Sequence, residues 1–231
     1  MIYEVDEALR GLVSRDALPG MDVEIAFDAP TRDWASRRNA PTVDIYLYDI
    51  REDLRRRARG MINDYDAAGR VVERHLPPRY FNLSYLVTAW TQRPEDEHRL
   101  LSSMLACFLR QDAIPADLLD GRLAELALPV AVTVGLPPDE NRGFADVWSA
   151  LGGELKPSLD VVVSVPVDAG QRQPAAPLVT HPLTLKSRGP GPWQVTEIRP
   201  GPQPRAGAVG QQDSQPDSRQ KARSRGRRDG R

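Results

Sequence analysis

A single cysteine, Cys107, stands in 231 residues. It excludes an intramolecular disulfide, is compatible with a reducing compartment and argues against a structural zinc site. Histidine is nearly as scarce. His75, His98 and His181 fall in three different kinds of segment, and none has a metal-ligating neighbour at i+3 or i+4. No stretch approaches the roughly 20 apolar residues that a membrane-crossing helix requires, so no membrane span is expected. The usual catalytic signatures are missing as well. There is no Gly-x-x-x-x-Gly-Lys phosphate loop, no Gly-x-Gly-x-x-Gly after a strand and no Gly-x-Ser-x-Gly elbow. The first residues, Met1 to Val13, carry Glu4, Asp6 and Glu7 and no unbroken apolar run, unlike a signal peptide. The expectation is a soluble chain made in the cytoplasm.

What is present divides in two. From Asp168 to Arg231 there are 9 Pro and 8 Gly in 64 residues, about 27 %, close to the level of low-complexity chain. That segment has 12 Lys+Arg against 5 Asp+Glu, a charge of +7, so the total of −1 leaves −8 for residues 1–167. A pI near 6.3 thus combines an acidic body with a basic tail. The expected organisation is one domain over 1–167 and a largely disordered, Pro/Gly-rich tail over 168–231, with weak strands between 178 and 198. A body of about 167 residues buries roughly 70 % of its unfolded surface and needs no staples.

Within the body, Leu76 to Thr91 reads as a rigid Pro77-Pro78 lead-in to one long strand. Phe81, Leu83, Tyr85, Val87 and Ala89 share one face; Tyr80, Leu86 and Trp90 add apolar bulk to the other. A strand apolar on both faces belongs in mid-sheet or at a subunit contact. The cover over Tyr80, Leu86 and Trp90 is then either a helix of the same chain, by preference 94–110, or a neighbouring subunit. Strands are also predicted at 23–27, 42–50, 128–134 and 158–167, where alternation is clear. Helices are predicted at 2–14, 94–110 and 141–151, with a helical turn within 118–126. Pro94 with Glu95, Asp96 and Glu97 suits a helix N-terminus. Residues 28–41 read as a polar loop holding Trp34, and 59–74 as a loop or edge hairpin. The fold class is therefore α+β with α/β character: one mixed sheet of four to five strands flanked by helices.

The candidate chemical groups are few. Cys107 lies between Ala106 and Phe108 on a helix and reads as a small core residue. Asp49, Glu52 and Asp53 could form an acid–base or metal cluster, but the arginines beside them favour a solvated, charge-balanced turn. His98 sits in a charged helix face. Trp34, Trp90 and Trp148 suit either a core or a protein contact. No catalytic, metal or cofactor residue is assigned, and no small-molecule substrate. Arg51, Arg55, Arg56, Arg57 and Arg59 form a basic run without aromatic interleaving, so single-strand nucleic-acid stacking is not indicated. On a body of net −8, contact with an acidic neighbouring subunit is the better reading. The run Ser218 to Arg231 could touch nucleic acid or an anionic surface, or remain a solvated tail.

Three stretches carry a resemblance. Pro41-Thr42-Val43-Asp44-Ile45-Tyr46-Leu47-Tyr48-Asp49-Ile50-Arg51-Glu52, then Pro77 to Trp90, then Val147-Trp148-Ser149-Ala150-Leu151-Gly152-Gly153 to Val167 resemble, in order and spacing, the tail-terminator (cap) proteins of extracellular contractile injection systems. The resemblance covers about residues 1–167 and corresponds to the family's N-terminal domain. It implies a structural, non-enzymatic protein without cofactor. Such a protein forms a hexameric ring at the end of the particle away from the baseplate, closes the inner tube, joins it to the last sheath layer and stops elongation. Its partners would be copies of itself and the tube and sheath proteins. Its place would be the cytoplasm, as part of an assembled particle. The alternative is a non-enzymatic binding module of another multiprotein complex, its basic tail on nucleic acid or an anionic surface.

Overall fold

The computed structural model describes residues 1–136, 144–176, 183–187 and 194–198. The run Ser218–Arg231, the segment 137–143 and His181 lie outside them. The chain divides into two compact units, one of Met1–Asn63 with Arg74–Gln173, the other of Asp64–Glu73 with the chain from Pro174 to Arg231.

The first unit is built on a five-stranded mixed sheet in the order β1-β2-β5-β7-β6. Its strands are β1 (Glu24–Ala26), β2 (Thr42–Glu52), β5 (Arg79–Trp90), β6 (Ala131–Val134) and β7 (Leu159–Val167). β1 runs parallel to β2; the other pairs are antiparallel. The α+β expectation of a mixed sheet flanked by helices is met. The long strand is central, as its two apolar faces require: β5 pairs with β2 from Trp90 to Phe81 and with β7 from Arg79 to Val87.

On one face, Val43, Ile45, Leu83, Tyr85, Val87, Val161, Val163 and Val165 form a continuous apolar surface. Helix α1 (Ile2–Leu12) covers it with Val5, Ala8, Leu9 and Leu12, and α3 (Pro94–Leu109) with Met104, Cys107 and Phe108. A hydrogen bond from the Tyr85 hydroxyl to Asp6 Oδ1 (2.8 Å) pins α1 across the sheet. The helix predicted over 2–14 continues in a π-helical turn through Val13–Ala17, because Val13 and Ala17 are also buried.

The preferred cover for Tyr80, Leu86 and Trp90 is corrected. They lie on the opposite face, paired with Pro166, Asp160 and Thr42, whereas α3 packs over Tyr85 and its neighbours. Only Thr91-Gln92-Arg93 separates Trp90 from α3, and so short a link turns the helix back over one face. The other face is covered through tryptophans. Trp34 of α2 (Arg32–Ser36) meets Trp90 edge-on at 5.5 Å between centroids, and Trp148 of α5 (Phe144–Ala150) meets it at 6.4 Å. Helix α2 stands where a loop is predicted. Thr31 Oγ1 accepts the Trp34 N–H at 3.2 Å, an N-cap that starts the turn.

Segment 59–75 resolves as an edge hairpin, β3 (Ile62–Tyr65) and β4 (Val71–His75), in a three-stranded sheet with β8 (Arg172–Pro174) in the order β3-β4-β8. Gly69, at φ +74°, closes the turn beneath Asp66, whose Oδ1 accepts the N–H groups of Ala68 and Arg70. Helix α4 (Gly121–Leu126) fills the predicted helical turn. β9 (Leu183–Ser187) and β10 (Gln194–Ile198) pair antiparallel.

Candidate assembly interface

The arginine-rich run is not a uniform patch. β2 overruns its predicted end to Glu52, still paired with Phe81, and a 3-10 turn over Leu54–Arg56 follows. Asp53 starts that turn: its Oδ1 accepts the Arg55 N–H at 3.0 Å, and its own N–H donates to the Tyr80 carbonyl at 2.8 Å. Three of the five arginines are then held within the chain. Arg51 pairs with Asp49 at 3.1 Å, and Arg57 approaches Glu52 at 3.3 Å. The Arg56 guanidinium stacks 3.4 Å above the Tyr80 ring and donates to Ser164 Oγ at 3.1 Å, covering the Tyr80 face that awaited a partner. Glu52 Oε1 is buried between Arg57 and Arg79 and accepts no hydrogen bond. Arg55 and Arg59 are exposed, and neither side chain has a hydrogen bond or ion pair among the described residues.

Apolar side chains are exposed in the same stretch of chain. Ile50, Leu54, Met61 and Ile62 are exposed, Leu54 at 66 %. Sequence analysis passed over this feature. Its one visible signal is that Leu54 and Met61 interrupt a stretch otherwise polar enough to need no apolar side chains.

The edge strands of the main sheet are partly covered. On β1, Arg10 Nη1 donates to the Ile25 carbonyl at 2.7 Å. Beside β6, the Val132 N–H donates to the Asp112 carbonyl (3.0 Å) and the Ile114 N–H to the Val130 carbonyl (2.9 Å). β1 covers β2 only over Thr42–Asp44, so strand addition, the simplest docking mode for a sheet edge, has the outer side of β2 beyond Asp44 open to it on this sheet.

The candidate chemical groups do not converge. In the β2–β5 register Asp49 opposes Ser84 and Glu52 opposes Phe81, so the two carboxylates leave β2 on opposite faces. Exposed His98 stands one turn into α3, beyond the Trp90 end of the ladder. Glu52 lies at the Phe81 end, nine residues or about 30 Å away along β5. Cys107 is fully buried, and burial pushes its thiol pKa up, against thiolate formation. Among the described residues no three His, Cys, Asp or Glu side chains gather in a way that could hold a metal, and no helix is long and apolar enough to cross a membrane.

Two groups that sequence analysis missed stiffen the far end of the ladder. Glu97 Oε1 accepts from Lys156 Nζ (2.7 Å) and from the Thr91 N–H (3.2 Å), while Lys156 Nζ sits 4.1 Å from the Trp90 ring. Beside them opens a cavity of about 620 Å³.

Residues 4–181 match the family described as the Pvc16 N-terminal domain. The chain belongs to that family. The resemblance carried by 41–52, 77–90 and 147–167 is thereby borne out. Among solved structures, the fold is similar to the sheath/tube terminator of PVC, an extracellular contractile injection system, in its extended state. That match has a TM-score of 0.59 and 26 % identity and covers 82 % of this chain and 64 % of that one. It is also similar in fold to the tube-terminating cap of the anti-feeding prophage, AFP, with a TM-score of 0.54 and 22 % identity over 78 % of this chain and 60 % of that one. The chain thus spans somewhat under two thirds of the length of these terminators. No curated protein sequence matches.

Proposed function

We propose that this chain is a non-enzymatic assembly protein that caps the distal end of a contractile injection particle. It closes the inner tube, joins it to the last sheath layer and ends elongation. The observation that carries this reading is the match to the Pvc16 N-terminal domain over residues 4–181, together with the likeness to a PVC sheath/tube terminator. The dispersal of Asp49, Glu52, His98 and Cys107 supports a scaffold over an enzyme. In this reading the chain forms a hexameric ring from copies of the 1–167 body, is made in the cytoplasm, and leaves as part of the assembled particle. The turn bearing Arg51, Arg55, Arg56, Arg57 and Arg59 lies at a contact with a neighbouring subunit.

Negative-stain imaging of particles from cells lacking the chain tests the proposal. The expected result is tubes of uncontrolled length or sheaths that are not retained. Particles of normal length with intact sheaths would overturn it.

A further inference from the structure

Residues 28–38 lie over the Thr42–Trp90 end of the β2–β5 ladder and are held there by few bonds. Their backbone hydrogen bonds, from the Thr31 N–H to the Ala29 carbonyl and onward through α2, stay inside the segment. Trp34 Nε1 likewise donates to Asp28 Oδ2, at 2.9 Å. Among the described residues two bonds tie the segment to the sheet: Arg38 to Glu24 of β1 at 2.6 Å, and the Asp28 N–H to Asp44 Oδ1 at 3.1 Å. Packing adds the edge-on contact of Trp34 with Trp90. A helix of five residues such as α2 does not hold itself in water.

Beneath this segment Asp44 is closed to solvent, and its Oδ2 meets no donor among the described residues. The charged groups that act on it, the Asp28 carboxylate and the Arg38 guanidinium, both belong to the segment. Its ladder neighbours Ala26 and Thr88 carry no charge. An ionised Asp44 would keep one oxygen without a donor and a like charge beside it, so while covered it stays protonated. Water reaches that carboxylate most cheaply by displacing the thinly held segment, since the strands on either side are fixed by their ladders.

We propose that Asp44 is a proton-operated latch: protonated, it lies closed beneath residues 28–38, and on giving its proton to solvent it is hydrated and the segment lifts. Closed, burial pushes the carboxyl up to about 8; open, it returns to the usual value of roughly 4. The open fraction therefore rises up to about tenfold per pH unit between those limits and levels off above them. Lifting withdraws Ala35 and Arg38 from the wall of the 620 Å³ cavity and bares Trp90, so the latch governs access to that face of the sheet.

Hydrogen exchange read by mass spectrometry on the full chain, corrected for the intrinsic chemical rate at each pH, tests the latch. Between pH 5 and pH 8.5, protection of amides in 28–38 is expected to fall at least about hundredfold. It should also stay well below that of Tyr85 and Val87 in β5 at every pH. In Asp44→Asn the fall disappears. In Asp28→Asn, which removes the like charge and keeps the N–H, the fall levels off at a lower pH. Protection in 28–38 that ignores pH, or a fall that persists in Asp44→Asn, would overturn the inference. So would equal protection in 28–38 and β5, which would make the opening global. Where Asp44→Asn does not fold, the Asp28→Asn shift decides alone, and an unmoved limit overturns the latch.

Discussion

Asp44 and Asp28 are joined by a single bond: Asp44 Oδ1 accepts the Asp28 N–H at 3.1 Å, and Asp44 Oδ2 has no partner among the described residues. Asp44 is fully buried on β2 beneath the segment that leads to α2. Burial, with the nearby Asp28 carboxylate, pushes its carboxyl pKa up to about 8 against the Asp28 N–H and Arg38, which lower it.

The folded chain therefore holds a proton that the unfolded chain releases above the usual carboxylate range. Stability falls as pH rises from about 4 and levels off above about 8. Thermal melts of the wild type are expected to give a higher Tm at pH 5 than at pH 8.5. Asp44→Asn keeps the shape without the charge and flattens that difference, with a gain of roughly 1–3 kcal/mol at the alkaline end. Equal slopes in both proteins would refute the assignment.

Trp148 is the largest fully buried side chain, and its Nε1 also lacks a partner among the described residues. Trp148→Ala is expected to cost about 3–5 kcal/mol, through the cavity left against Trp90. Trp148→Phe costs clearly less, since it keeps an aromatic ring and removes an unpaired buried donor. Urea titrations of the two variants give the ranking.

Lys156, Glu97 and Trp90 form one part-buried unit. Lys156→Met and Glu97→Gln should each destabilise by about 1–3 kcal/mol, since each leaves the opposite charge without its partner. The double variant should cost less than the sum of the singles. A double-mutant cycle by chemical denaturation reads the coupling, and strict additivity would argue against a shared unit.

The five arginines separate into two groups. Arg56→Ala removes the cover over Tyr80 and the bond to Ser164, and is expected to destabilise by about 1 kcal/mol. Arg55→Ala changes stability by no more than about 0.5 kcal/mol, because its side chain is exposed and makes no hydrogen bond or ion pair among the described residues. Arg55→Ala lowers incorporation into particles even so. Melting and incorporation measured on both variants separate folding from docking.

Long periodic segments were legible in the sequence. The 79–91 and 158–167 strands and the 94–110 helix appear within a residue or two of their predicted limits, because each is long and carries its apolar residues in a sustained pattern. Short elements were not. α2 is five residues started by the Thr31 cap, and it persists because Trp34 docks on Trp90, a contact 56 residues away in the chain. The site was half legible. Charge density pointed to 51–59, yet it could not tell Arg56, held by Tyr80, from Arg55, whose side chain has no bond among the described residues.

By itself the sequence confined β5 to mid-sheet or a subunit contact, since it is apolar on both faces, and excluded an intramolecular disulfide, since it holds one cysteine. Which layer covers each face was decided only in three dimensions. The Thr91–Arg93 link turns α3 onto the Tyr85 side, leaving Trp34, Trp148 and Arg56 to cover the other. Side-chain partners are set by the crossing of distant segments, and no local repeat encodes them.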